Sequence, residues 1–415
     1  MSNRPRTFVV VGANSTGGTA AATLRTEGFE GRVVLIGAEP HPPYERPPLS
    51  KEYLRGECQM GDALLRPAAW YADNGIETLY DVRAIGIDAV RKVVRLEDRE
   101  GVHYDSLLIA TGGANRRLPV RGTTLEGIHD LRTFEDADRI REAARAGGRA
   151  VVVGAGFIGC EVAASLRSLG VEVDVIEPLP APLVRAVGLE VGALFEGIHR
   201  EHGVTFHLGE TVSGFEGAGG RVEAVTTDRG RRIECDFAVV GVGIGPATQV
   251  TEHSGVALDD GILVDEFCRT NVERVFAAGD VANHWHPLFG RRLRVEHWDN
   301  ALKHGAAAAR SMLAIGEPEA YDDPHWFWSD QFDSQVQMAG FAPTWDRMVV
   351  RGSIEKRSFC AFLLDREGVV RSTVSLDWKR DVRRSFGLIR KQVAPDPSAL
   401  EDPEVDLRTL VPQEP

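Results

Sequence analysis

Val151-Val-Val-Gly-Ala-Gly-Phe-Ile-Gly159 is the stretch that decides the fold. It opens on three β-branched residues, which favour a strand. Gly154, Gly156 and Gly159 then stand in the G-x-G-x-x-G spacing. Gly154 suits a tight turn, Gly156 lets the backbone approach a diphosphate, and Gly159 lets the next helix pack against the strand. Phe157 and Ile158 fall at the start of that helix, where free N–H groups and the dipole favour an anion. The run Glu161–Arg167 is helix-compatible, Gly170 ends it, and a β run, Val171–Ile176, closes on Glu177. An acid there accepts hydrogen bonds from a ribose 2′-OH and repels a 2′-phosphate, which predicts NADH over NADPH. Arg185, eight residues on, is the nearby group able to soften that discrimination.

Upstream, Val9-Val-Val-Gly-Ala-Asn-Ser-Thr-Gly17 repeats the pattern, with Gly12 standing 142 residues before Gly154. A helix-compatible run, Thr19–Arg25, ends at Gly28, and the β run Arg32–Ile36 follows. The chain is therefore expected to carry two βαβ dinucleotide-binding units. The first copy departs in two places. Asn14 replaces the second glycine, and Gly37 falls at the acid position, with Glu39 two residues later. An asparagine there crowds a diphosphate unless it bonds to it or points away. The expectation is a hydrogen bond from Asn14 to the phosphates or a displaced turn.

The 415 residues exceed one hydrophobic core and fit two or three domains. A net charge of −13 argues against nucleic acid and anionic membranes as partners. No run approaches the ~18–20 uncharged apolar residues of a membrane helix. The start, Met1-Ser-Asn-Arg-Pro-Arg-Thr7, runs straight into a strand pattern, so a cytoplasmic chain is expected. Five cysteines, Cys58, Cys160, Cys235, Cys268 and Cys360, lie far apart with no CxxC, and reduced thiols are the expectation.

Seven residues beyond Ile36 comes Pro43-Tyr-Glu-Arg-Pro-Pro-Leu-Ser-Lys51, and further motifs follow in order. They are Tyr104-Asp-Ser-Leu-Leu-Ile-Ala-Thr-Gly112, Leu131-Arg-Thr-Phe-Glu-Asp136 and Gly156-Phe-Ile-Gly-Cys-Glu161. After these come Val275-Phe-Ala-Ala-Gly-Asp280, Val295-Glu-His-Trp-Asp-Asn-Ala301 and Trp326-Phe-Trp-Ser-Asp-Gln331. In this order the chain resembles the FAD-dependent NADH:ferredoxin reductases that serve Rieske-type dioxygenases and bacterial cytochromes P450. The resemblance covers nearly the whole chain.

That resemblance implies a glutathione-reductase-like α/β fold. Two Rossmann-like domains, for FAD and NAD, would be joined by a C-terminal α+β domain. The FAD domain is expected at 1–113 and 247–322, the NAD domain at 114–246 and the C-terminal domain at 323–415, beginning near the Pro-rich stretch Glu317–Pro324. The tail from Pro395 is expected to be draped on the surface or partly disordered.

The resemblance further implies that FAD contacts Gly12, Ala13, Asn14, Gly17, Glu39, Arg46, Lys51, Val82, Ala110, Thr111 and Gly112. Further along the chain, Arg132, Gly279, Asp280, Glu296, His297, Trp298 and Trp328 are implied as FAD contacts too. Lys51 matches a lysine beside the flavin, Asp280 an acid on the ribityl chain, and Trp298 a residue along the isoalloxazine. NAD would contact Gly154, Gly156, Phe157, Ile158, Gly159, Glu177, Arg185 and Gly243, with Glu161 orienting the nicotinamide carboxamide. Taken singly, Lys51 reads as a surface lysine, Glu161 as a helix-start acid, and Trp326 and Trp328 equally well as core aromatics.

The implied chemistry is hydride transfer from NADH to FAD, then single electrons to a [2Fe–2S] ferredoxin, by a monomer or homodimer without a metal. Disulfide-reducing relatives keep cysteine next to the flavin, soon after the first βαβ unit. The corresponding segment here, Glu39–Arg46, has none, so electrons should leave the flavin directly. Two other classes share the pattern: an NADH-dependent reductase of a small acceptor such as a quinone, and an NADH-sensing flavoprotein. Two basic clusters are candidates for docking an acidic ferredoxin. One is Lys379, Arg380, Arg383, Arg384, Arg390 and Lys391, broken by Asp381. The other is Arg291, Arg292 and Arg294, favoured because it leads into the Trp298 motif.

Overall fold

The structure, a computed structural model, describes residues 6–314, 317 and 319–412. Residues Met1–Pro5 at the start, and Pro318 at the expected domain boundary, lie outside the described residues. No described helix is long and apolar enough to cross a membrane. The chain divides into two compact units, Met1–Arg46 with Met60–Ala114 and Ile244–Asp323, and Pro47–Gln59 with Asn115–Gly243 and Pro324–Pro415.

In the first unit, five parallel strands lie in the order Val275–Ala277, Ser106–Ile109, Thr7–Val11, Arg32–Ile36, Ile76–Leu79. Of the inner strands, Thr7–Val11 and Ser106–Ile109 are buried along their whole length, as strands covered on both faces are. The helix Ser15–Thr26 crosses between the first two βαβ strands, and the helix Trp298–Leu313 packs against it. Gly305 permits that approach, since a Cβ there would stand 2.4 Å from Thr16 O.

The second unit repeats the construction with strands Val204–Leu208, Glu172–Glu177, Arg149–Val153, Phe237–Val240 and Ile128–Asp130, all parallel. The helix Phe157–Ser168 makes its crossover. The same unit holds an antiparallel sheet ordered Trp326–Gln331, Ser334–Gly340, Val370–Leu376, Ser358–Leu364, Arg347–Ser353, followed by the helix Lys379–Arg390. One apolar cluster joins both parts, with Val152 and Phe195 together with Phe359 and Val374.

One segment differs from its sequence reading. Pro47–Gln59, read as part of the FAD domain, belongs to the second unit, because Leu54 enters its core and Tyr53 bonds to Asp138. Of the two expectations for the tail, the described residues 395–412 meet the first: they form a short helix, Pro397–Glu401, and a turn, Leu407–Leu410, laid against the protein. The guanidinium of Arg351, fully buried, gathers the tail by donating to the carbonyls of Ala399, Leu400 and Val405.

Candidate functional site

Both glycine turns fold alike. Gly12 N–H donates to Ile36 O and Gly154 N–H to Ile176 O, so Gly37 and Glu177 occupy equivalent positions. Gly12 and Gly154 adopt φ of +119° and +99°, a region costly for residues with a Cβ. A Cβ on Gly17 or Gly159 would stand 1.8 or 2.0 Å from the carbonyl oxygen of that turn glycine. The second copy suits a diphosphate. No atom lies within 4 Å of a Cβ built on Gly156, and the helix it starts has no side-chain cap. Space and unspent helix N–H groups therefore coincide, as an anion requires.

The first copy spends its helix start differently. Asn14 Oδ1 accepts from Thr16 N (3.0 Å) and Gly17 N (3.2 Å), while its Nδ2 donates to Ala110 O at 2.6 Å. Asn14 thus turns inward as the helix N-cap, which is how a side chain is accommodated where the repeat has glycine. Gly37 is tight for the same loop: a Cβ there would meet that of Ala13 at 2.5 Å. Asn14→Gly is expected to cost about 1 kcal/mol, through one lost hydrogen bond and a weaker cap. FAD affinity should stay near wild type in a titration of apoprotein. A large loss of affinity would make Asn14 a direct ligand.

Around this turn, Glu39 accepts from Arg46 Nη2 (2.6 Å) and Tyr44 OH (2.5 Å). Burial works to lower the Arg46 guanidinium's pKa, but the Glu39 and Asp280 carboxylates beside it hold it above its ordinary value. Val82 is buried, with its N–H donating to Gly37 O. Thr111 Oγ1 donates to Ala247 O, and Gly112 O accepts from Ala247 N. Gly279 has φ +75° and donates its N–H to Nδ1 of His304, a buried histidine that sequence reasoning missed. Burial pushes His304 down to about 3, so it accepts as a neutral ring at pH 7. Glu296 pairs with Arg294, and His297, pushed down to about 4 by burial, precedes Trp298 at the start of its helix.

In the second unit Lys51 and Glu161 meet as a buried pair, Nζ to Oε2 at 3.3 Å. Lys51 is no surface lysine, and Glu161 lies beyond the first turn of its helix, so it is no dipole-complementing acid. Two hydroxyls also donate to this carboxylate, Ser50 Oγ to Oε2 and Ser329 Oγ to Oε1. Lys51 Nζ stands 5.9 Å from the centre of the Trp328 ring. Trp328 stacks on Trp326 at 5.2 Å, and both are half-buried rather than core aromatics.

Glu177 accepts from Ala155 N (2.7 Å) and Leu179 N (3.0 Å), so its carboxylate also pins the glycine loop. Phe157 packs edge-on against Phe327, whereas Ile158 and Arg185 are exposed. Arg132 N donates to Asp136, beside the Thr133–Asp136 capping box that starts its helix. Gly243 O accepts from Arg116 N.

Cys160, Cys235, Cys268 and Cys360 are buried free thiols, each pushed up by burial, Cys235 to about 12. Cys58 is half-buried. Thiols raised this way are poor nucleophiles at neutral pH.

Two Rossmann-type sheets, each with a glycine turn feeding a helix, define a protein built for two dinucleotides. The family model described as pyridine nucleotide-disulphide oxidoreductase matches residues 6–305, and the one described as reductase C-terminal matches 326–411. Rhodocoxin reductase of Rhodococcus erythropolis is 35% identical over 97% of this chain and 94% of its own length. The anthranilate 1,2-dioxygenase system ferredoxin–NAD(+) reductase component of Burkholderia cepacia is 37% identical over 97% and 99%. The crystal structure of the covalent putidaredoxin reductase–putidaredoxin complex superposes with a TM-score of 0.94 at 32% identity, covering 99% of both chains. The chain belongs to the pyridine nucleotide-disulphide oxidoreductase family and, within it, to the ferredoxin–NAD reductases. It is an oxidoreductase that uses FAD and NAD(H).

Proposed function

We propose that the chain accepts hydride from NADH and passes electrons singly to a [2Fe–2S] ferredoxin feeding a Rieske oxygenase or a cytochrome P450. The buried Lys51–Glu161 pair carries the reading, because the resemblance sets these two groups at the flavin and nicotinamide. Bound FAD supplies the change from two-electron to one-electron chemistry. The protein's task is then binding, placement and electrostatics. Gly12, Ala13 and Gly17 would hold the FAD diphosphate, Asp280 the ribityl chain, and Trp298 one side of the ring. Gly154, Gly156 and Gly159 would hold the NAD diphosphate, with Glu177 on the ribose. Lys51 places a cation beside the ring, and Glu161 fixes that cation while orienting the carboxamide. The four buried thiols, raised by burial, are poorly suited to carry the electrons, which favours direct delivery over a disulfide relay.

Two of the three arginines favoured by sequence for docking the ferredoxin are held by the protein's own groups. Arg292 Nη1 donates to Val264 O (2.8 Å) and Asn283 O (3.1 Å), and Arg294, largely buried, pairs with Asp260 and Glu296. The helix Lys379–Arg390 offers the better face. Asp381, which interrupts its basic run in sequence, is turned inward to Trp378 and Arg351, leaving Lys379 and Arg383 exposed. Charge reversal at Lys379 and Arg383 should lower kcat/KM for ferredoxin about ten-fold at low salt and flatten its salt dependence. NADH-to-ferricyanide turnover should stay near wild type. Equal loss with both acceptors, or with neither, contradicts docking on this helix.

A further inference from the structure

The Glu161 carboxylate stands at the end of a longer buried chain. Ser329 Oγ, 2.6 Å from Glu161 Oε1, accepts from Gln331 Nε2 at 3.1 Å, and Gln331 Oε1 lies 2.8 Å from His199 Nε2. Gln331 and Ser329 share one face of the strand Trp326–Gln331, as residues two apart do, while His199 comes from the helix Val184–Glu201. None of Ser50, Lys51, Glu161, His199, Ser329 and Gln331 is more than 4% exposed.

The donors run in one direction. An ionised carboxylate only accepts, so the single Ser329 hydrogen goes to Glu161. Ser329 Oγ can then only accept from Gln331, which sets the amide nitrogen toward Ser329 and the oxygen toward His199. Turning the amide over would set two acceptors face to face. His199 must therefore carry its proton on Nε2, and its Nδ1 has no hydrogen-bond partner among the described residues. Burial pushes His199 down to about 4, which keeps the ring neutral at pH 7.

We propose that His199, Gln331 and Ser329 are positioning residues. Through a chain of aligned donors they fix the plane of the Glu161 carboxylate, and so the place of Lys51. Hydrogen bonds aligned this way polarise and strengthen one another. The proposal rests on the assignment of Lys51 and Glu161 to the hydride step.

Gln331→Glu is the diagnostic substitution because it keeps shape and makes donor capacity depend on protonation. When protonated, the new carboxyl can donate to Ser329 and accept from His199, as glutamine does. When ionised, it competes with Glu161 for the Ser329 hydrogen. The groups facing it are His199 from the helix Val184–Glu201, with Glu161 and Lys51 beyond Ser329. Stopped-flow reduction of the FAD-loaded variant by NADH should therefore slow about ten-fold as pH rises through its ionisation, while the wild type is flat there. Ser329→Ala should be slowed similarly at all pH values, with the NADH dissociation constant nearly unchanged, and Ser329→Thr should restore the rate. Independently of turnover, ¹⁵N NMR of histidine-labelled protein should show His199 as the Nε2–H tautomer. A Nδ1–H tautomer, or a Gln331→Glu profile that superposes on wild type, overturns the relay. Glu161→Gln separates the two ideas. If it slows reduction while Ser329→Ala does not, the relay fails alone; if neither slows it, the assignment of Glu161 fails.

Discussion

NADPH is expected to be a poor donor, with kcat/KM about 10²–10³ below that for NADH, because a like-charge encounter near a largely buried carboxylate costs a few kcal/mol. Glu177 closes its strand at the position equivalent to Gly37, and its two oxygens are held by Ala155 N and Leu179 N. The carboxylate is thus fixed and cannot swing away from a 2′-phosphate without releasing the loop. Glu177→Ala should narrow the preference sharply. It should also weaken NADH itself, since Ala155 N loses its acceptor and the glycine turn loosens. Steady-state kinetics with both nucleotides checks this. Comparable efficiencies for wild type would remove Glu177 from the discrimination.

Breaking the ion pair between the edge strand Arg347–Ser353 and the helix Lys379–Arg390 is expected to cost about 3–5 kcal/mol, the range for removing one partner of a fully buried pair. Arg351 and Asp381 are both wholly buried, 3.4 Å apart. The two partners should differ. Asp381→Asn keeps a polar group for Trp378 Nε1, which donates to Asp381 at 2.6 Å. Arg351→Met leaves Asp381 only Trp378 and the exposed Arg380, and strands the carbonyls of Ala399, Leu400 and Val405. Urea midpoints should therefore fall further for Arg351→Met, and limited proteolysis should cut near Ala399–Val405 in that variant alone. Equal midpoints and an intact tail in both would mean that Arg351 does not hold the tail.

The sheets were legible because their residues carry local signals. Apolar β-branched runs, glycines at fixed spacing and a following glycine stop gave strands and helices within a few residues of those observed. Asn14 was visible as a departure from the repeat, but whether its side chain faces a ligand or the helix start depends on backbone torsions that composition does not carry. The Glu161 network was half legible. Ser50 and Ser329 sit inside quoted motifs, yet their convergence joins segments more than 100 residues apart, and His199 had no motif at all. Asp381 could have been read correctly. With Val382, Ser385, Leu388 and Ile389 it follows the helical period of the buried face, so it was never part of the basic surface. Arg351 likewise occupies an inward position of its strand, two residues from buried Val349, where a charge signals a buried partner.

The most direct measurement is NADH-driven reduction by the FAD-loaded protein of an added [2Fe–2S] ferredoxin, set against a quinone under the same conditions. Expected is stoichiometric reduction of two ferredoxins per NADH, with kcat/KM for ferredoxin at least about ten-fold above that for the quinone. Faster turnover with the quinone, or a reduced-flavin–NAD complex that every acceptor reoxidises slowly, would contradict a ferredoxin reductase.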